Sequence, residues 1–254
     1  MLRLAKKVWR RLPWAKQVQS KTIPFPSSRR TPQVCAGLES LRGANPWPDI
    51  SGLDGQPSYM WNLDGGGRHL VTGLIKQVRP KTFLEIGTFL GGSALQWLKS
   101  APDFTLIAID TWSVYLAPWI QQQIDQPPAW VKDIRPLRRL VRPLAEHGIF
   151  KVAMHNLRGY RERVIPIVMS AEEAYSYVRE FIEPDIIFID ANKEKKDYLL
   201  AHEMFPAARI CGDDWDWQDA RGENIVRRHV HEVASLRNCD VVAERATWVL
   251  TPKT

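Results

Sequence analysis

Five short apolar runs, most of them followed by a segment of helical periodicity, constrain this chain more than any other feature. They are Thr82–Ile86 (TFLEI), Phe104–Ile109 (FTLIAI), Val164–Met169 (VIPIVM), Asp185–Ile189 (DIIFI) and Ala207–Cys211. A strand with one wet face alternates apolar and polar residues. These do not, so both faces must be covered, which predicts a mostly parallel α/β sheet between two layers of helices. The helices are predicted at about Gly66–Val78, closed by Pro80, from the glycine turn to about Leu98, and over Ala171–Phe181 and Lys195–Phe205. Asp240–Ala243 and Thr247–Leu250 lie too close together for a crossover helix and read as an antiparallel pair at the sheet edge.

The 254 residues, 44% of them apolar and 25% charged, suffice for one α/β domain with an extension. No apolar run approaches the roughly 20 residues that span a bilayer. Three cysteines (Cys35, Cys211, Cys239) without metal-ligand spacing suggest a reducing, cytoplasmic setting. The net charge of +7 has a location: Arg3, Lys6, Lys7, Arg10, Arg11, Lys16, Lys21, Arg29 and Arg30 precede the first acidic residue, Glu39. These nine of the 35 Lys and Arg leave 26 against 28 acidic residues, so no nucleic-acid partner is expected. Residues 1–50 therefore read as a basic leader, able to touch an anionic membrane surface weakly, plus a Pro-rich linker from Pro24 to Pro48. Residues 51–254 form the domain, with a homodimer as the assembly considered. Between Asp110 and Val164 the chain is longer than one crossover needs and carries Trp112, Trp119, Trp130 and the cluster Arg135, Arg138, Arg139, Arg142. A helical lid at about 113–160 is expected over the crevice, shaping an acceptor pocket.

The first strand runs into Glu85-Ile-Gly87-Thr88-Phe-Leu-Gly91-Gly-Ser93. Glycines there let the backbone approach a ligand and open the next helix. Glu85 beside such a turn suits a bound cation better than a pyrophosphate. Asp110 ends the second strand, 25 residues on, placed to accept from ribose hydroxyls. In this order FLEIGTFLGGS, LIAIDTW, PDIIFIDANK and ICGDDW resemble the class I S-adenosylmethionine-dependent methyltransferases. The likeness is greatest to the metal-dependent O-methyltransferases of the catechol, caffeoyl-CoA and macrocin (sugar) types. That resemblance implies a sheet of order 3-2-1-4-5-7-6. It also implies that Glu85 and Gly87, in the turn with Thr88 and Gly91, line the methionine part of the cofactor. Ser93 would meet its carboxylate, Asp110 its ribose and Ser170 its adenine, with Trp112 stacked on the ring.

Asp190 ends the fourth strand and Asp213-Asp214 the fifth, so three carboxylates should converge at one edge. A hard divalent ion with oxygen ligands, Mg²⁺ foremost, would relieve their repulsion and acidify a hydroxyl of the acceptor. In the resembling family these positions bind metal, and Lys193 matches a general base. The chain departs from the caffeoyl-CoA type at Asn192 and at Asp214, where Asp and Asn are usual. The expected acceptor is a hydroxyl on a small molecule or sugar. Two other readings are an NAD-dependent oxidoreductase, which needs a G-x-G-x-x-G turn that Thr88-Phe89-Leu90 does not supply, and a non-catalytic module binding S-adenosylmethionine or a glycan.

Overall fold

A computed structural model describes residues 32–60, 66–113, 116–128, 131 and 133–253; most of the basic leader (1–31), Trp61 and Trp130 lie outside the described residues. Seven strands form one sheet in the order β3-β2-β1-β4-β5-β7-β6. They are β1 (Thr82–Ile86), β2 (Thr105–Asp110), β3 (Val164–Val168), β4 (Ile186–Ile189), β5 (Arg209–Gly212), β6 (Cys239–Glu244) and β7 (Thr247–Pro252). Pairing is parallel from β3 through β5 and antiparallel for β5 with β7 and β7 with β6. The apolar runs are continuous for the reason the sequence suggests. Phe83, Phe104 and Phe188 pack on one side of the sheet, and Leu84, Ile86, Ile187 and Ile189 on the other, all of them buried.

On the first side lie helices α2 (His69–Val78) and α3 (Gly92–Ser100) and the second half of α5 (Arg135–Leu157); α4 (Leu116–Asp125) packs on α5. The other side carries α1 (Pro32–Ala44), α6 (Ala171–Arg179), α7 (Lys195–Met204) and α8 (Ile225–Leu236). No described helix is long and apolar enough to cross a membrane.

Two expectations need correction. Most of the segment from Pro24 to Pro48 is not an irregular linker, because residues 32–44 form α1. That helix buries Leu38 and Leu41, sets Gly37 where a Cβ would fall 2.1 Å from the Phe181 carbonyl oxygen, and sends Arg42 to the carbonyls of Glu162 and Val164 at 3.0 and 3.2 Å. The packed body thus begins before residue 51. Its two glycines and few apolar positions give α1 little helical signature, and tertiary contacts supply the rest. The stretch at 113–160 is likewise not all lid. Gly148 (φ 76°) breaks α5, and beyond it Ile149, Val152, Ala153, Met154 and Leu157 are core residues of the crossover from β2 to β3.

That buried half of α5 also fastens the strap before the sheet to the turn after β1. Asn156 Oδ1 accepts from the Tyr59 N–H at 2.7 Å, while its Nδ2 donates to the carbonyls of Leu90 at 2.9 Å and Tyr59 at 3.2 Å. At the opposite edge of the sheet, one Asp185 oxygen accepts the backbone N–H groups of Lys81 and Thr82 at 2.6 and 2.9 Å, tying the start of β1 to β4. Asp185→Ala would leave both donors without this acceptor, so we expect a loss of about 2 kcal/mol in denaturant unfolding, with the slope unchanged.

Candidate functional site

The parallel register carries the ends of β1 to β5 to one edge, where a cavity of about 510 Å³ opens. Its first wall is the turn after β1. Gly87 (φ +89°) lies so near the end of β4 that a Cβ would sit 1.8 Å from the Asp190 carbonyl oxygen, so only glycine fits. Thr88, Phe89, Gly92 and Ser93 continue that wall. The second is the end of β2, where Asp110 Oδ2 accepts from Phe89 N–H and Oδ1 from Trp112 N–H, both at 2.8 Å. Asp110 thus holds its own loop and the neighbouring turn, and each oxygen keeps a lone pair for a ligand hydroxyl. Burial pushes its carboxyl above the usual range against those N–H donors. Met169, Ser170 and Trp119 close this end, Trp119 meeting the Phe89 ring edge-on at 6.2 Å. The Ser170 side chain caps α6, accepting from Glu173 N–H and donating to its carboxylate.

Three residues expected at the cofactor are not on the cavity wall. Glu85 shares a strand face with Phe83 and lies wholly buried beneath α3, its Oε1 accepting from Trp97 Nε1 at 2.9 Å. Burial raises its carboxyl to about 7, opposed by Ser93, Trp97, Arg68 and Thr88. Gly91 (φ +84°) opens α3 with its α-carbon toward the Leu157 side chain. Trp112 bends back at φ 39°, donates from Nε1 to the Phe89 carbonyl at 2.7 Å and packs on Phe150, so its ring braces the turn and does not stack in the cavity.

The other end of the cavity holds Asp190, Lys193, Asp213 and Asp214 together, as the sequence predicts, and adds Arg68, which sequence reasoning missed. Arg68 precedes α2, is 4% exposed, and places Nη2 3.4 Å from Asp213 Oδ2. Lys193 Nζ lies 2.6 Å from Asp214 Oδ2 and 5.5 Å from the Trp217 ring centre. Trp215 is already engaged by Arg227 and His231, which leaves Trp217 as the tryptophan beside the acids. Asp190 is held well above the usual carboxylate range, first by burial and then by Asp213 and Asp214; Asp213 is raised by burial while Arg68 pulls it back.

These acids have the donor chemistry for a hard divalent ion, and the three line one cavity. As arranged they do not fit one: among the described residues no three acidic, histidine or cysteine groups gather into a metal-holding cluster. Asp213 is turned to Arg68, and Asp214 to Lys193. A cation brought between them would meet a guanidinium and an ammonium, and two unit charges of like sign 4 Å apart repel by about 4 kcal/mol near a protein surface.

No family model and no curated protein matches this chain. Among solved structures it is similar to the O-methyltransferase from Bacillus cereus in complex with SAH, at 16% identity over 92% of this chain and 94% of that one, with a TM-score of 0.50. It is also similar to the O-methyltransferase TomG from Streptomyces achromogenes, involved in tomaymycin synthesis and solved with SAM: 20% identity, 84% and 87% covered, TM-score 0.47. A third is an SAH-bound methyltransferase from Podospora anserina: 16% identity, 99% and 96% covered, TM-score 0.47. The likeness to the Bacillus cereus O-methyltransferase shows a shared fold.

Glu85 supplies a test of the site's floor. Its folded pKa, about 7, exceeds the ordinary 4.5, so the folded state holds this proton more tightly. The contribution of Glu85 to stability then falls as pH rises from about 4.5 to 7 and levels off above, by on the order of 3 kcal/mol in all. Glu85→Gln should remove that slope and be the more stable form at pH 8 in denaturant titrations. Its affinity for S-adenosylhomocysteine should stay within about threefold, because the side chain does not face the cavity.

Proposed function

We propose that this chain is an S-adenosylmethionine-dependent methyltransferase acting on a hydroxyl of a small molecule or sugar. The observation that carries the reading is one cavity with a glycine turn and ribose-ready Asp110 at one end and Asp190, Lys193, Asp213 and Asp214 at the other. Its volume falls within the range of small-molecule sites, about 300–1,000 Å³. The donor would lie along Gly87–Ser93 with its ribose at Asp110, its sulfonium toward Asp190, and the acceptor oxygen between Asp190 and the Lys193–Asp214 pair.

The transfer is an in-line displacement. The acceptor oxygen forms a bond to the methyl carbon, the carbon–sulfur bond breaks, and its electron pair stays on sulfur. The hydroxyl proton goes to the Asp214 carboxylate, whose charge Lys193 balances, and from there to solvent at the cavity mouth. Holding the reactants in contact geometry supplies several kcal/mol of the barrier, on the order of 7 or more in favourable cases. Metal assistance, expected from the three aspartates, is no part of this mechanism, because Arg68 and Lys193 already hold two of them.

The oxidoreductase reading is not favoured: Phe89 and Leu90 occupy the turn where a pyrophosphate would need bare backbone. A comparison of S-adenosylhomocysteine with NAD by calorimetry should show binding of the first alone. With labelled S-adenosylmethionine and a panel of sugars, catechols and other diols, Asp190→Ala should lower methyl transfer by about 100-fold or more while still binding S-adenosylhomocysteine. Undiminished transfer in that variant would remove Asp190 from the reaction.

A further inference from the structure

The acid end of the cavity is not an open nest of carboxylates. Arg68 is buried, lines the cavity and acts on three carboxyls at once: Asp213, which it touches, and Asp190 and Glu85 nearby. Its position is set by backbone. Gly67 (φ +84°) is packed so closely on β6 that a Cβ would fall 1.9 Å from the Glu244 carbonyl oxygen, and Gly66 (φ +93°) is packed on the Arg245 side chain. Thr247 Oγ1 donates to the Gly66 carbonyl at 2.8 Å and lies 3.5 Å from Asp213 Oδ1. Trp248 Nε1 donates to the Asp213 backbone carbonyl at 3.0 Å. The segment leading into α2, the β6–β7 turn and Asp213 are therefore one packed unit, with the guanidinium built in among its acids.

We propose that Arg68 and Lys193 are the resident cations of this site, filling the electrostatic role a divalent ion would otherwise serve, and that the chain transfers methyl groups without one. The proposal rests on the methyl-transfer reading above and extends it. A guanidinium is a permanent, planar cation, and one held at Asp213 on the cavity wall stabilises charge that grows on an acceptor oxygen beside it. The balance of the step is complete without metal: the O–H proton goes to Asp214, the new C–O bond replaces the C–S bond, and sulfur keeps the pair. No oxidant or reductant is involved.

Mn²⁺ alone, followed by the electron paramagnetic resonance of the free ion, tests this in the full chain. The wild type should leave the free Mn²⁺ signal unchanged up to about 1 mM, since Asp213 and Asp214 are held by Arg68 and Lys193 and, among the described residues, no three acidic, histidine or cysteine groups gather into a metal-holding cluster. Arg68→Gln should create binding at least about tenfold tighter than that limit, and adding Asp213→Asn should abolish it. Wild-type Mn²⁺ binding that Asp190→Ala removes would overturn the proposal, and so would a folded Arg68→Gln chain that binds no Mn²⁺. Should Arg68→Gln not fold, the wild-type and Asp190→Ala titrations decide alone. S-adenosylhomocysteine affinity, measured in the same samples with and without chelator, reports separately on the donor site: its absence refutes the methyl-transfer reading and leaves the Mn²⁺ result standing.

Discussion

Gly87 N–H donates to the Ile109 carbonyl and Asp190 N–H to the Ile86 carbonyl, each at 2.8 Å, so β2, β1 and β4 run out at one level. Those two bonds extend the parallel ladder by one rung past the last strand residues, and the cavity begins where they end. The strands beneath them are apolar on both faces and cannot slip without exposing one face or burying a polar side chain. Every polar group of the site is therefore referred to a frame that has no freedom of its own. Asp110, Asp190 and Asp213 converge because their strands pair in register, with no need for any special affinity between loops.

Convergence has an electrostatic cost that the rest of the molecule must meet. Asp213 is buried, with Asp190 and Asp214 half-buried beside it, and Glu85 lies fully buried behind the turn after β1. The chain answers in three ways. Glu85 is held partly protonated near neutral pH, Asp213 and Asp214 each receive a cation, and Asp190 is kept toward its neutral form. Backbone strain adds to the cost, since Phe89, Trp112 and Asp214 take positive φ without being glycine. Such conformations persist only where the surroundings over-determine them.

Strands, edge hairpin and strand-end acids were legible because each rests on local pattern: an unbroken apolar run, a gap too short for a helix, an acidic residue after the last apolar one. What escaped the sequence depends on contacts between distant residues. The helix Pro32–Ala44 exists through Leu38, Leu41 and Arg42 docking on the body, not through its own composition. Arg68 reaches Asp213 across 145 positions, by way of glycines whose purpose shows only against the β6–β7 turn. Glu85 is different, because strand alternation already put it on the face of Phe83, under the coming helix. There the turn motif outweighed the parity that was in plain view. Trp112 was misplaced because a left-handed bend at a tryptophan leaves no trace in composition.

The break at Gly148 divides a long helix into parts with separate duties. Beyond it, Asn156 and its neighbours bolt the turn after β1 to the body; before it lie the exposed arginines around Arg138, with α4 packed alongside and its Trp119 edge-on to Phe89 at the cavity wall. A lineage could rewrite the first part to admit a differently shaped acceptor while the second stays constant, much as a tool handle accepts interchangeable heads. In such a layout, change at the cavity rim and constancy at its base would be written into different stretches of one helix.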